Sequence, residues 1–542
     1  MNGKNILIGS ISALAFAGFV GSIVSISLFG LNGCEYGGSI DDGPYNPGAA
    51  QIVEQKEGNF SKFDYAELAR KELTPLTPSK GNVNVLVVPV EFSDLDKFNT
   101  IDIAAINSAF NGINENHKNN KWESTKSFYE KSSNGQLNFN FEICDPYVPS
   151  ISSTMYSRFD NEYGAGTSAI LEEILNKGLT KENEKINLQD NKYDINKDGY
   201  IDGVWLIYNA KDRNKVYGNP PQFWAYTANF IPEDKMDPTK NIFGRYANAS
   251  ILFLDDRGYA PSDASVADAH TLIHETGHMI GLDDYYDYAN GQNQYSFTGQ
   301  LDMMDLNIGD HNAYSKYALG WIKAKVVDES QTLTLKPFST SYDSLILPSG
   351  SYNGSAFSEY IMVEYYTPEN LYSYDSRHNY AGTYPEFYSK SGLRIYHIDA
   401  RLSYFKAIQD KFTGAISYKF GDYLDKNIQD IPKYNDRVLV STIEADWVVV
   451  GHTNSPIDKT RNKDGKPLIE LVSSRNEKLY NSRGSTNKDL YISNNSDGYA
   501  FSASNQSRYF DSNKFNDGSL MNYKIKINGT NEEGINLTIE VE

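Results

Sequence analysis

Cysteine is nearly missing from this chain of 542 residues, with only Cys34 and Cys144 present. Two cysteines cannot build a disulfide framework, so core packing, with or without metal ions, must hold the fold together. Basic charge is also in deficit: 50 Lys and Arg stand against 70 Asp and Glu, a net charge of -20 at pH 7. Such a balance offers phosphates no footprint and excludes nucleic acid as a partner. It suits a soluble extracellular surface without identifying a substrate. No internal repeat of fixed period is present. Histidine is scarce, 8 in all, yet three of them (His270, His274 and His278) fall within nine positions.

The length is too great for one core, so two to four folded units are expected. Residues 1–34 carry an uncharged apolar run from Asn5 to Cys34. That run is long enough for a membrane helix or a long signal sequence. It ends in Leu31-Asn32-Gly33-Cys34, which resembles a lipoprotein processing site, with Asn32 unusual at its place. Lipid on Cys34, a retained membrane helix and plain secretion all export the remainder to the cell surface or beyond. Residues 35–80 read as a tether or short pro-segment, through the Gly- and Pro-rich "EYGGSIDDGPYNPGAAQ" and a candidate helix at "DYAELARKEL".

Folded structure is expected from "NVNVLVVPVEFSD", a buried strand by its β-branched run. A helix, an Asn134-Gly135 turn and a strand follow in "ESTKSFYEKSSNGQLNFNFEI", then a helix in "TSAILEEILNKGL" and a strand in "DGVWLIYNA". The mixture predicts an α/β or α+β domain over residues 81–325. Beyond it, "QTLTLKPF", "SLILP", "EYIMVEYY", "GLRIYHID", "VLVSTIEAD", "LIELV" and "YKIKINGT" predict an all-β, sandwich-like region over residues 326–542.

The histidines lie in "SDASVADAHTLIHETGHMIG", read as one helix with candidate caps at Asp263 and Ser265 and a stop at Gly281. His274 and His278 are then one turn apart on one face, roughly 6 Å along the axis, where two imidazoles can share an ion. Glu275 is placed to reach a water on that ion, the H-E-x-x-H arrangement of zinc peptidases. A third ligand is required. No glutamate occurs between Glu275 and Glu329, so the downstream-helix route of thermolysin-like enzymes is poor. Gly281 permits a sharp turn, and Asp284 follows three residues later, with Asp283 as the fallback. His270 reads as packing. The rival to a peptidase is a surface adhesin with a vestigial site.

"HETGHMIGLDDYYD" resembles the motif of the immune inhibitor A family, secreted bacterial metallopeptidases of the metzincin clan. "VNVLVVPVEFSD", "SFYEKSSNGQLNF", "YDINKDGYIDGVWLIY", "LDMMDLNIGDHNAYSKYALGW" and "SGLRIYHIDA" extend the resemblance over roughly residues 80 to 540. It implies a metzincin-like catalytic domain acting on protein or peptide substrates as a monomer. By it His274, His278 and Asp284 hold one zinc ion and Glu275 is the general base. A methionine floor falls to Met304 in preference to Met303. Leu306 stands where some clan members have an oxyanion-stabilising tyrosine, leaving Tyr286, Tyr314 and His311 as candidates for that role. The clan likeness also places the substrate along an edge strand near "ASILFLDD", at residues 249–254 within that 249–256 stretch.

A second metal signal is "DINKDGYID". Asp194, Asn196, Asp198, the Tyr200 carbonyl and Asp202 match calcium-loop positions, with Gly199 at the bend. Trp205 replaces the closing glutamate, so the alternative is an Asx-rich turn.

Overall fold

The computed structural model describes residues 76–113, 122–160, 165–230, 239–263, 267–288, 294–382, 384–409, 416–423, 444–455 and 462–542. The apolar run, Cys34, the tether and "DYAELARKEL" lie outside them. The architecture is mixed α+β, with several sheets and few helices.

Five strands form the first sheet: β1 (Gly81–Val90), β2 (Leu137–Ile143), β3 (Val204–Tyr208), β4 (Tyr226–Asn229) and β5 (Arg245–Ser250). Their order is β2-β1-β3-β5-β4. All pairings are parallel except β4 with β5, so β4 is an antiparallel edge strand. β3 and β5 are buried at every position. Continuous burial explains why β3, Val-Trp-Leu-Ile-Tyr, runs apolar instead of alternating, as in sheets covered on both faces, whereas β5 buries Arg245, Asn248 and Ser250 with hydrogen-bond partners. Asn134 and Gly135 take φ of 56° and 74° to turn the chain into β2.

Four of the helices are α1 (Thr100–Asn111), α2 (Thr125–Ser132), α3 (Ala165–Lys177) and α4 (His270–Met279). Asn99 with Asp102, and Ser124 with Ser127, close reciprocal capping boxes on α1 and α2. α4 starts later than its sequence suggests. Ala269 stands at its N-cap and not Asp263, the Asp268 carboxylate accepts the His270 amide at 3.0 Å, and Ser265 lies outside the described residues.

Packing continues across both expected boundaries. Leu76, Thr77, Ser79 and Lys80 are buried, so the folded unit starts before residue 80. The Thr77 amide donates to the Met279 carbonyl at 3.0 Å, which ties this segment to the end of α4. The boundary near residue 325 is not a break between cores either. The sheet made by 325–326, 344–348, 359–366, 392–399 and 469–471 is buried on both faces. Ile346, Tyr360, Met362, Tyr396 and Ile398 share a core with β1, α4 and Met304. Leu345, Leu347, Ile361, Val363 and Ile395 face the four-stranded sheet of 331–335, 501–502, 523–530 and 535–541. The alternation follows from the period of two along each strand. Glu364 reaches across, accepting the Ala313 amide at 3.0 Å while it pairs with the buried Arg394.

Candidate metal centre

α4 is held from several sides through its own carbonyls. Tyr129 Oη donates to Ile273 O at 2.6 Å, Thr227 Oγ1 to Glu275 O at 2.8 Å and Arg245 Nη1 to His278 O at 2.8 Å. Trp205 Nε1 donates to Thr276 Oγ1 at 3.2 Å. The helix ends in a Schellman motif: the Gly281 amide donates to His278 O at 3.0 Å and the Leu282 amide to Gly277 O at 2.9 Å. Gly281 adopts φ 108°, a conformation costly to other residues. The reversal carries the chain back beneath the histidines.

Three side chains converge there. His274 Nε2 and His278 Nε2 are each 3.1 Å from Asp284 Oδ1 and 3.1 Å from one another. Each imidazole is oriented by a carbonyl that can only accept: His274 Nδ1 donates to Met303 O at 2.8 Å and His278 Nδ1 to Leu282 O at 2.7 Å. With the protons fixed on Nδ1, both Nε2 lone pairs point at one spot. Lone pairs that close repel unless a cation lies between them. A triangle of this size fits one: an ion about 2.05 Å from each corner would sit about 1 Å out of its plane, leaving one side open. Among the described residues this is the one group of three or more such side chains with ligand atoms within 4.8 Å of each other. Asp283 is buried but outside that group.

Burial alone would favour neutral Asp284, but the two facing imidazoles hold its carboxyl well below the usual carboxylate range. Burial likewise opposes charge on His278 while the Asp284 carboxylate favours it, so a cation shared by the two would take the place of a second proton on Nε2. Glu275 is buried too, and burial raises its carboxyl above the ordinary value, with His278 and His274 opposing. Its Oε2 accepts from Thr227 Oγ1 of the edge strand β4 at 3.1 Å.

Met304 lies directly under α4, its Sδ 2.6 Å from where a Cβ on Gly277 would be. Met303, by contrast, contributes its carbonyl to His274. Asp302 caps this short turn, accepting the Met304 amide at 2.9 Å and Asn312 Nδ2 at 2.8 Å.

The oxyanion candidates separate. His311 and Tyr314 are fully buried. His311 packs against Phe128, Tyr129 and Trp321, and burial pushes its pKa well below the usual value. Tyr286 is half-buried, edge-on to Tyr288. Tyr288 escaped sequence reading: its Oη donates to Asp284 Oδ2 at 2.7 Å and so orients the third ligand. Thr227 also escaped. No sequence signal links it to Glu275, 48 positions away.

His270 is more than packing. Its Nδ1 is 3.0 Å from Asp268 and its Nε2 3.3 Å from Asp375, with Trp122 and Tyr380 stacked on it at 4.1 and 4.3 Å. Burial works against its charge, but the two carboxylates raise it to about 10.

Residues 249–254 are not an edge strand. Ala249 and Ser250 end the interior strand β5, and Ile251–Leu254 form a 3-10 turn. β4 takes the edge and touches Glu275. In the Asp194–Asp202 loop, Asp194 accepts the Asp198 and Gly199 amides at 3.0 Å, Asp198 accepts the Tyr200 amide at 2.7 Å and Asp202 accepts the Ile195 amide at 3.1 Å. Asn196 Oδ1 accepts the Asp198 amide at 3.1 Å. Its carboxylates are not gathered to the 4.8 Å spacing of the histidine group.

No protein-family model matches this chain, and no curated protein matches it. Among solved structures, it shows a likeness to wild-type OgpA from Akkermansia muciniphila, at 10% sequence identity over 71% of this chain and 95% of that one. The TM-score of that likeness is 0.21, too low to carry an argument.

Proposed function

We propose that the protein is a zinc-dependent endopeptidase of the bacterial cell surface, akin to the immune inhibitor A family and metzincin-like in its catalytic part. The observation that carries this is the meeting of His274, His278 and Asp284 at mutual distances of 3.1 Å, with the Glu275 carboxylate beside them. When bound, zinc supplies a Lewis acid that polarises the scissile carbonyl and makes water deprotonable near neutral pH. Glu275 takes the proton of the attacking water and delivers it to the departing amine. Thr227 fixes the carboxylate, and Tyr288 keeps Asp284 from swinging away.

The peptide lies along β4, the edge strand that reaches Glu275, pairing main chain to main chain. The enzyme works as a monomer, exported and anchored through residues 1–34 by lipid or helix. Among the described residues no helix is long and apolar enough to cross a membrane. Calcium in the Asp194–Asp202 loop completes the reading as a structural ion. Burial and the Asp198 charge raise Asp194, and burial with Asp198 and Asp194 raises Asp202 to about 8, a strain that a divalent cation would relieve.

The test is a cleavage assay on unfolded casein with metal analysis. The protein should contain one zinc, digest casein, stop with a chelator and recover with zinc. Glu275→Gln should keep the zinc and cleave nothing. Full activity in that variant, or an active protein without metal, would overturn the proposal.

A further inference from the structure

Upstream of β4 stands a wall of aromatic side chains around one arginine. Trp224 meets Tyr217 edge-on at 5.6 Å and Phe253 at 5.1 Å. The Arg213 guanidinium lies 5.4 Å from the Tyr217 ring and 5.1 Å from that of Tyr259, which is 55% exposed. Arg213 Nε is buried without a hydrogen-bond partner, and among the described residues no carboxylate pairs with this side chain. In a chain carrying 70 acidic residues, that is unusual. The neighbouring Asp255 is committed to Arg257 through contacts of 3.0 and 2.8 Å. A half-buried cation between two rings, with a donor left over, is built to receive an anion.

Its place relative to the metal centre gives the site a use. Trp224 precedes Thr227 by three residues, about 10 Å along extended chain. Its carbonyl accepts Asn248 Nδ2 at 3.0 Å, so the segment continues alongside β5. We propose that Arg213, Tyr217, Trp224 and Tyr259 form a subsite for an acidic side chain of the peptide substrate, three or four residues from the bond cleaved. This rests on the peptidase reading above. The rings exclude water from the arginine, and the guanidinium pairs with the carboxylate.

The experiment compares matched peptides with Glu or Gln at single positions, scanned two to five residues either side of the cleaved bond, against the zinc-loaded protein. At one position Glu should be preferred about tenfold in kcat/KM. Arg213→Gln should erase that preference, and Arg213→Glu should replace it with a preference for Lys, with zinc content and melting temperature confirming folded variants. Equal cleavage of Glu and Gln peptides at every position, or a preference surviving Arg213→Gln, overturns the subsite. Should no peptide be cleaved, the peptidase reading fails separately, and calorimetric titration of the same peptides into Glu275→Gln decides the subsite. Tighter Glu binding that is lost in the Arg213→Gln, Glu275→Gln double variant supports it, and equal binding refutes it.

Discussion

Replacing Gly277 by alanine sets two effects of opposite sign against each other. In an unobstructed helix the change should stabilise by about 1 kcal/mol, since glycine is the poorer helix former. Here the added methyl would meet Met304 Sδ at 2.6 Å and Tyr129 Oη at 3.3 Å. Ordinary contact begins near 3.4 Å, so Met304 must retreat by about 0.8 Å. Met304 is fully buried, and forced displacement in a packed core costs about 1–3 kcal/mol. The clash should win by about 1 kcal/mol. The larger effect should fall on the metal. Met304 follows Met303, whose carbonyl holds His274 at 2.8 Å, and disturbing such a support weakens metal binding about 10- to 100-fold. Zinc affinity by chelator competition and urea unfolding of the metal-free protein would measure the two parts. A double variant with Met304→Ala removes the obstacle, so adding Gly277→Ala to it should cost nothing. A Gly277→Ala protein that is stabler than the parent with unaltered zinc affinity would refute the packing argument.

Other expectations follow from the same geometry. Tyr288→Phe should lower zinc affinity about 10- to 100-fold through loss of the bond to Asp284, measured by the same competition. His270 binds its proton more tightly folded, near pKa 10, than unfolded, near about 6.5. Its contribution is therefore complete below about pH 6.5 and fades as pH rises toward 10, so urea midpoints should fall over that window. His270→Gln should flatten that trend and cost about 3–5 kcal/mol at pH 6 by leaving Asp268 and Asp375 buried without their cation. Calcium should raise the melting temperature of the parent and leave Asp202→Asn unmoved. Proline at Ala228 should impair cleavage with zinc retained.

Short-range patterns made much of this legible. The Gly281 turn could be read because only a positive φ brings residue 284 back to a helix that ends at 279. The β-branched runs at 83–90 and 204–208 announced strands that tolerate no polar face. What stayed hidden depends on contacts distant in sequence. Thr227, Tyr288 and the His270 pair with Asp375 carry no periodicity, because side chains on separate elements need no fixed spacing. The 249–254 stretch misled because its apolar run suits a strand and a buried turn equally. The core shared across residue 325 stayed hidden because alternating apolar positions show that a strand has two faces without showing what covers each.

The sheet at 344–399 belongs to two interiors at once, and this restricts how the chain could ever be shortened. Cutting away the C-terminal half would leave one side of the N-terminal layers wet, since Ile346, Tyr360 and Met362 belong to the same core as β1, α4 and Met304. A smaller descendant would have to repaint that side with polar groups before it could lose the rest. Residues far from the histidine group thus set the minimum size of the protein.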